Sequence, residues 1–214
     1  MKNLIVNEIF YSIQGESTHM GKPCVFVRLT FCNLRCVWCD TAYAFEEGVP
    51  MSIEQILDAV AVYHCKLVEI TGGEPLAQTG VHELMSTLCD RGYTVLLETS
   101  GSISIRGIDQ RVQIIMDIKC PGSDMAKHNL WENIDLLRPS DELKFVVADK
   151  NDFDWAVTVV RQFGLEGRCP VLFSPVFGEL QPVRLAEWLL ESGIAARMQL
   201  QIHKYIWEPE TRGV

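Results

Sequence analysis

Short apolar runs that end in polar or glycine-rich loops alternate with segments of helical period about seven times along the chain, with no break in composition between them. Residues 67–71 run into Gly72-Gly73-Glu74-Pro75, residues 93–98 into Thr99-Ser100-Gly101, residues 114–118 into Lys119-Cys120-Pro121-Gly122, and residues 171–173 into Ser174-Pro175-Val176. Residues 142–147 and 199–202 read as two further strands, residues 3–12 as a strand or strand pair, and residues 23–30 as a buried strand interrupted by Arg28. Strands that alternate with helices form a parallel sheet with right-handed crossovers. A full eightfold β/α barrel takes roughly 250 residues. At 214 residues the expected fold is therefore α/β, an incomplete TIM-type β/α barrel that is open at its side. In such folds, sites lie at the carboxyl ends of the strands, where this chain places its polar motifs.

The helices between the strands carry their own signals. Ser52 reads as an N-cap with Gln55 as its capping-box partner, followed by apolar Ile53, Ile56, Leu57, Val60 and Ala61. A helix over residues 78–91 is stopped by Gly92, and residues 129–137 read as helical. Asn151 or Asp152 is expected to cap a helix reaching residue 163, and residues 182–191 form the last.

One stretch stands apart from this pattern. Cys32, Cys36 and Cys39 lie within eight residues, directly after the strand that holds Arg28. One loop can thus present three thiolates to one point, as a metal or an iron–sulfur cluster requires. Three is one short of the four ligands that a structural zinc or an electron-transfer cluster takes, and an open metal position is where chemistry occurs. A zinc site completed by a remote Cys or His is the alternative. Cys24, Cys65, Cys89, Cys120 and Cys169 are scattered singly and read as small buried hydrophobes. His19, His64, His82 and His128 read as surface or core residues. A chain this long can build an ordinary core, so reduced thiols rather than a disulfide framework are expected.

Composition narrows the partners. A net charge of −9 and a pI near 5.0 argue against a nucleic-acid binder, which meets phosphates with Lys and Arg. No apolar run reaches the roughly 18 residues of a membrane span, and the N-terminus lacks a signal layout, so a single cytoplasmic domain over residues 1–214 is expected. Gln14-Gly15-Glu16 reads either as a solvated turn, with Gly15 permitting unusual backbone, or as a recognition loop for a polar heterocycle. Arg28 reads either as a salt-bridged structural residue or as a bidentate clamp for a substrate carboxylate, and its place four residues before Cys32 favours the clamp.

Taken together, Cys-x3-Cys-x2-Cys and Gly72-Gly73-Glu74-Pro75 resemble the radical S-adenosylmethionine enzymes. More narrowly, Ile13-Gln14-Gly15-Glu16, Arg28, Cys39-Asp40-Thr41, Glu98-Thr99-Ser100-Gly101, Asp117-Ile118-Lys119 and Gln201-Ile202-His203-Lys204-Tyr205 resemble the 7-carboxy-7-deazaguanine synthase family. Ser17 stands where that family usually has glycine, and residues 206–214 extend past the last shared motif. The resemblance implies a 4Fe–4S cluster on Cys32, Cys36 and Cys39, its remaining iron chelated by S-adenosylmethionine. It implies a cofactor site of Trp38, Cys39, Asp40, Gly72, Gly73, Glu74, Gly101, Asp117, Ile118, Lys119, Ser174, Pro175 and Val176. The implied substrate site comprises Ile13, Gln14, Gly15, Glu16, Arg28, Thr99 and His203, with Mg2+ on Thr41. The implied reaction is ring contraction of 6-carboxy-5,6,7,8-tetrahydropterin to 7-carboxy-7-deazaguanine with loss of ammonia. A homodimer and a flavodoxin-like reductant are implied as partners, with neither nucleic acid nor membrane. The runner-up is another radical enzyme of this superfamily, such as a glycyl-radical enzyme activase, which would dock a polypeptide. A non-catalytic zinc or iron–sulfur module is the reading from a different class.

Overall fold

The computed structural model describes residues 3–214. Nine strands form one sheet: β1 (Leu4–Ile13), β2 (Pro23–Leu29), β3 (Val49–Met51), β4 (Leu67–Gly72), β5 (Thr94–Thr99), β6 (Gln113–Asp117), β7 (Glu142–Val147), β8 (Val171–Pro175) and β9 (Arg197–Met198), in the order β3-β1-β2-β4-β5-β6-β7-β8-β9. From β2 through β4 to β9 each neighbour pairs in parallel, whereas β1 pairs antiparallel with both β2 and β3. The sheet begins at β3 and ends at β9 without closing on itself, so the barrel is incomplete and open between those edges.

Helices α1 (Ile53–Ala61), α2 (Val81–Asp90), α3 (Lys150–Gln162) and α4 (Pro182–Ser192) cross between parallel strands, and α5 (His203–Ile206) is a single turn near the end. Period-two alternation divides the strands between two environments. Val68, Ile70, Val95, Leu97, Ile114, Met116, Leu143, Phe145, Val171 and Phe173 join Leu57, Val60, Leu84, Leu88, Phe153 and Leu185 of the helices in one apolar core. The alternate residues Arg28, Glu69, Thr71, Glu98, Asp117 and Lys144 line the barrel's inner cavity. Fully burying one large apolar side chain contributes about 1.5–3 kcal/mol, so the outer layer holds the sheet while the inner layer is left polar.

Local signals hold where they are local. Ser52 Oγ accepts from the Gln55 N–H and Gln55 Oε1 from the Ser52 N–H, completing the capping box. Gly92 follows α2 with φ 76°, the left-handed backbone expected after a helix end. Three expectations are corrected. The cap of α3 is Asp149, whose Oδ1 accepts from the Asp152 N–H at 2.9 Å, while buried Asp152 turns back to the N–H groups of Gly122 and Ala148. The helical stretch expected over residues 129–137 is shorter and of the 3-10 kind, at Trp131–Leu136. There the fully buried Asn133 side chain bonds to Ile105, Gly101 and Ile103 in the β5–β6 connection. The last strand lies at Arg197–Met198 rather than residues 199–202, because Gln199 and Gln201 turn inward to the loop after β1.

That loop, residues 14–22, closes the amino-terminal end of the barrel. Thr18 donates through its N–H and hydroxyl to Glu142, the first residue of β7, and His19 Nε2 lies 2.8 Å from Oε1 of Gln113, the first residue of β6. Ser17 adopts φ 62°, a left-handed backbone that glycine takes more readily. Its N–H is held by Gln199 Oε1 at 2.8 Å.

Candidate active site

A cavity of about 670 Å³ opens over the carboxyl ends of the strands. Cys32, Cys36 and Cys39 line it, half-buried, and none of the eight cysteines is joined to another. Burial raises all three thiols above the ordinary range, with Lys119 opposing that trend at each. Their loop is anchored by buried Leu34 and by Arg35, whose guanidinium sits 4.1 Å over the Phe45 ring and donates to Cys32 O at 2.8 Å. Phe31 enters the loop at φ 77°. That strained residue is fixed on both sides, its N–H donating to Ala44 O at 3.0 Å and its carbonyl accepting from the Glu74 N–H at 2.7 Å.

The two glycines after β4 make this contact possible. A Cβ on Gly72 would lie 2.1 Å from Leu29 O, and one on Gly73 would lie 2.2 Å from Phe31 O and 2.8 Å from Cys32 Cβ. Glu74 is fully buried, and its carboxylate accepts from the Thr99 and Ser100 hydroxyls and from the N–H groups of Ser100 and Leu76. Its side chain therefore ties the glycine turn to β5 and does not face the cavity.

Lys144 stands at the centre of the inner wall, 4% exposed at its side chain. Its ammonium donates to Glu16 Oε2 at 2.8 Å and to Glu98 Oε1, and lies 3.9 Å from Asp117 Oδ2. Burial alone would raise the Glu16 carboxyl, but Lys144 and Gln201 outweigh it and hold that carboxyl below its usual value. Lys119 pairs with Asp117 Oδ2 at 2.9 Å, whereas Asp117 Oδ1 is buried with no hydrogen-bond partner among the described residues.

Arg28 projects from β2 into the cavity. Its Nε donates to Glu8 Oε1 at 2.7 Å, and its guanidinium carbon lies 5.6 Å from the Phe10 ring and 5.9 Å from the Tyr43 ring. The fork is thus held by its side donor and by two aromatic faces, leaving the terminal nitrogens for a ligand. Burial disfavours a charge on Asp40, yet Lys204 Nζ at 2.6 Å and the Thr41 hydroxyl at 2.9 Å hold its carboxyl well below the usual range. His203 lines the cavity, and burial lowers its pKa, so it stands neutral near pH 7.

Most of the expected site residues line this one cavity: Ile13, Gln14, Gly15, Glu16, Arg28, the three cysteines, Trp38, Asp40, Thr41, Gly72, Gly73, Thr99, Asp117, Lys119, Val176 and His203. Gly101, Ile118, Ser174 and Pro175 do not, and like Glu74 they stand behind the wall. Two expectations about single residues are corrected. Gly15 lacks a positive φ; a Cβ there would lie 2.0 Å from His203 Nδ1, so any side chain at this position displaces the imidazole from its place in the cavity. The Gln14 and Glu16 side chains are engaged within the protein, so neither stands as a free amide or carboxylate. Glu69, Thr71, Glu98 and Lys144 are cavity residues beyond the expected set, signalled by Glu69 and Thr71 two apart in β4, by Glu98 within the apolar run of β5, and by Glu142 and Lys144 two apart in β7.

The donor set is that of an iron–sulfur cluster with one iron left open: three free thiols, Cys32, Cys36 and Cys39, share one cavity. The bare backbone of Gly73 beside Cys32 and the unpartnered Asp117 oxygen are a cradle and an acceptor for a further group.

Residues 26–164 match the model of the radical SAM superfamily, and these thiols at the strand ends of an open barrel belong to an enzyme of that class. The superfamily brings a 4Fe–4S cluster and S-adenosylmethionine. Within it the chain belongs to the 7-carboxy-7-deazaguanine synthase family, and it is a lyase. It is 48% identical to the 7-carboxy-7-deazaguanine synthase of Chlorobaculum tepidum, over 99% of this chain and 97% of that protein. It is 45% identical to that of Koribacter versatilis, over 98% and 99% of the two chains. QueE from Escherichia coli shares the fold, with a TM-score of 0.76 at 21% identity over 92% of this chain and 93% of that one. No helix among the described residues is long and apolar enough to cross a membrane.

Proposed function

We infer that the enzyme contracts the ring of 6-carboxy-5,6,7,8-tetrahydropterin to 7-carboxy-7-deazaguanine, releasing ammonia and feeding 7-deazapurine (queuosine) synthesis. The observation that carries this reading is the placement of Arg28, held by Glu8, Phe10 and Tyr43, in the same cavity as the three thiols. A carboxylate bound by that fork is presented to the cysteine loop, whereas a polypeptide substrate has no need of such a clamp.

Cys32, Cys36 and Cys39 would hold the cluster. Gly72, Gly73, Asp117, Lys119 and Val176, with the backbone of Trp38, Cys39 and Asp40, would line the S-adenosylmethionine site, and Glu74, Gly101, Ile118, Ser174 and Pro175 would support that wall from behind. When bound, these two groups supply a carbon radical that takes a hydrogen atom from the substrate. The chain's own residues bind and orient. Arg28 grips the carboxylate, and the loop of Ile13, Gln14, Gly15 and Glu16, with Thr99 and neutral His203, forms the wall that the polar edge of the pterin meets. The segment carrying Pro209, Glu210 and Arg212 lines the mouth, Arg212 lying 3.7 Å from the Tyr43 ring, and limits water. Thr41 would be the protein ligand for Mg2+, a hard cation that keeps several waters and takes few protein oxygens. The same reading takes residues 1–214 as one domain, working in the cytoplasm as a homodimer and reduced by a flavodoxin or similar donor.

Anaerobic reconstitution is expected to yield about four irons per chain. Incubation with reductant, S-adenosylmethionine and the carboxytetrahydropterin is expected to release 5′-deoxyadenosine and a deazapurine. Cofactor cleavage without deazapurine sinks the reaction while leaving the superfamily intact. Arg28→Ala is expected to raise KM for the pterin about 30-fold or more, a loss of roughly 2–5 kcal/mol, with iron content retained. An unchanged KM removes Arg28 from the substrate site.

A further inference from the structure

Beneath the loop of residues 14–16 lies a carboxyl group for which the reaction above has no assigned use. Glu69, on β4, is 3% exposed and lines the cavity. Its Oε2 accepts from Gln14 Nε2, and Gln14 Oε1 accepts in turn from the Glu16 N–H at 2.9 Å. One side chain thus bridges the barrel wall and the backbone of the loop. The main chain of Gln14 is fixed as well, its N–H donating to Lys22 O and its carbonyl accepting from the Gly21 N–H, both at 2.8 Å. The Gln14 amide is 97% buried with both ends engaged, so its orientation depends on the acceptor that Glu69 provides.

The charges around Glu69 show which form it takes. Glu98 from β5, Glu16 from the loop, Lys144 from β7 and the Cys24 thiol from β2 all face it. Lys144 is already paired with Glu16 and Glu98, so a third carboxylate there would be buried without a counter-charge. Burial first, then Glu98 and Glu16, raise the Glu69 carboxyl well above its usual value. A neutral carboxyl group is close to an amide in shape and equally able to accept from Gln14.

We propose that Glu69 is a positioning residue for the substrate, orienting the Gln14 amide and through it the backbone of Gly15 and Glu16, and exchanging no proton with the substrate. This rests on the proposed reaction, in which that loop meets the pterin. It assigns to a residue of the barrel wall control over substrate affinity.

The test is steady-state kinetics of reconstituted enzyme with the carboxytetrahydropterin as varied substrate. Glu69→Gln keeps an acceptor for Gln14, so KM and kcat are expected to stay within about threefold of wild type. Glu69→Met keeps the volume and strands the Gln14 N–H groups, so KM is expected to rise about tenfold or more, with a smaller change in kcat. Gln14→Met is expected to raise KM similarly, and the double variant to be no worse than Gln14→Met, because both break one contact. Loss of turnover in Glu69→Gln equal to that in Glu69→Met overturns the proposal in favour of proton transfer. An unchanged KM in folded Glu69→Met overturns it too. If Glu69→Met does not fold, Glu69→Gln decides alone, through retained or lost turnover. A wild type that forms no deazapurine overturns the reaction and this inference together. An active wild type with the wrong variant pattern overturns the inference only.

Discussion

Lys144→Met is expected to lower folding stability by about 3–5 kcal/mol at pH 7 and to abolish turnover. The methylenes of Lys144 are replaced at similar volume, so the effect isolates the ammonium. Removing it leaves the carboxylates of Glu16 and Glu98 without their buried cation, and takes the nearest positive charge but one from Asp117. The pH dependence distinguishes this from a packing defect. Burial disfavours the Glu16 charge, but Lys144 wins and holds that carboxyl below its usual value, so its contribution is present above the unfolded pKa of about 4.3 and is lost as pH falls through the folded one. In the variant the same carboxyl is raised by burial and takes up a proton on folding, which favours the folded state as pH falls. The gap between wild type and variant, read from denaturant midpoints, should therefore be widest near neutral pH and narrow below about pH 4. An equal gap at pH 4 and pH 7 removes the ammonium as the cause.

The reach of an interaction along the chain decides how readable it is. The capping box at Ser52 and Gln55 spans three residues, and the glycine after α2 adjoins the helix it ends, so both follow from neighbours alone. The cysteine loop is legible for the same reason, since its spacing is its function. Lys144 and Glu16 are 128 residues apart, and nothing near either names the other. What the sequence does hold is their orientation. In β7, Glu142, Lys144 and Val146 alternate with Leu143, Phe145 and Val147, a period of two that turns one set inward. A continuous apolar run is the simpler reading of a parallel strand, and it hides that alternation. Gly15 shows the same limit from the other side. Its glycine is explained by His203, which the fold brings against it from the far end of the chain.

Gly73→Ala is expected to leave the barrel folded and to empty the cluster site. The added Cβ would lie 2.2 Å from Phe31 O and 2.8 Å from Cys32 Cβ, and the closer of these is backbone with no rotamer to escape into. Phe31 has little freedom to give, because it already sits at φ 77° with its N–H and carbonyl both bonded. Relief must come from moving the turn that carries Cys32, and a cluster tolerates little displacement of one of three ligands. Overpacking of this kind costs about 1–3 kcal/mol in a core, occasionally more, a cost that here falls on the turn that carries Cys32. Reconstituted Gly73→Ala is therefore expected to hold fewer than about two irons per chain, against about four in wild type, and to cleave no S-adenosylmethionine. Gly92→Ala is the control: its φ is 76° with open space around the new carbon, so it should lower stability by about 1 kcal/mol and leave iron content untouched. Wild-type iron and turnover in Gly73→Ala would show that the contact between the glycine turn and the cysteine loop does not set the position of Cys32.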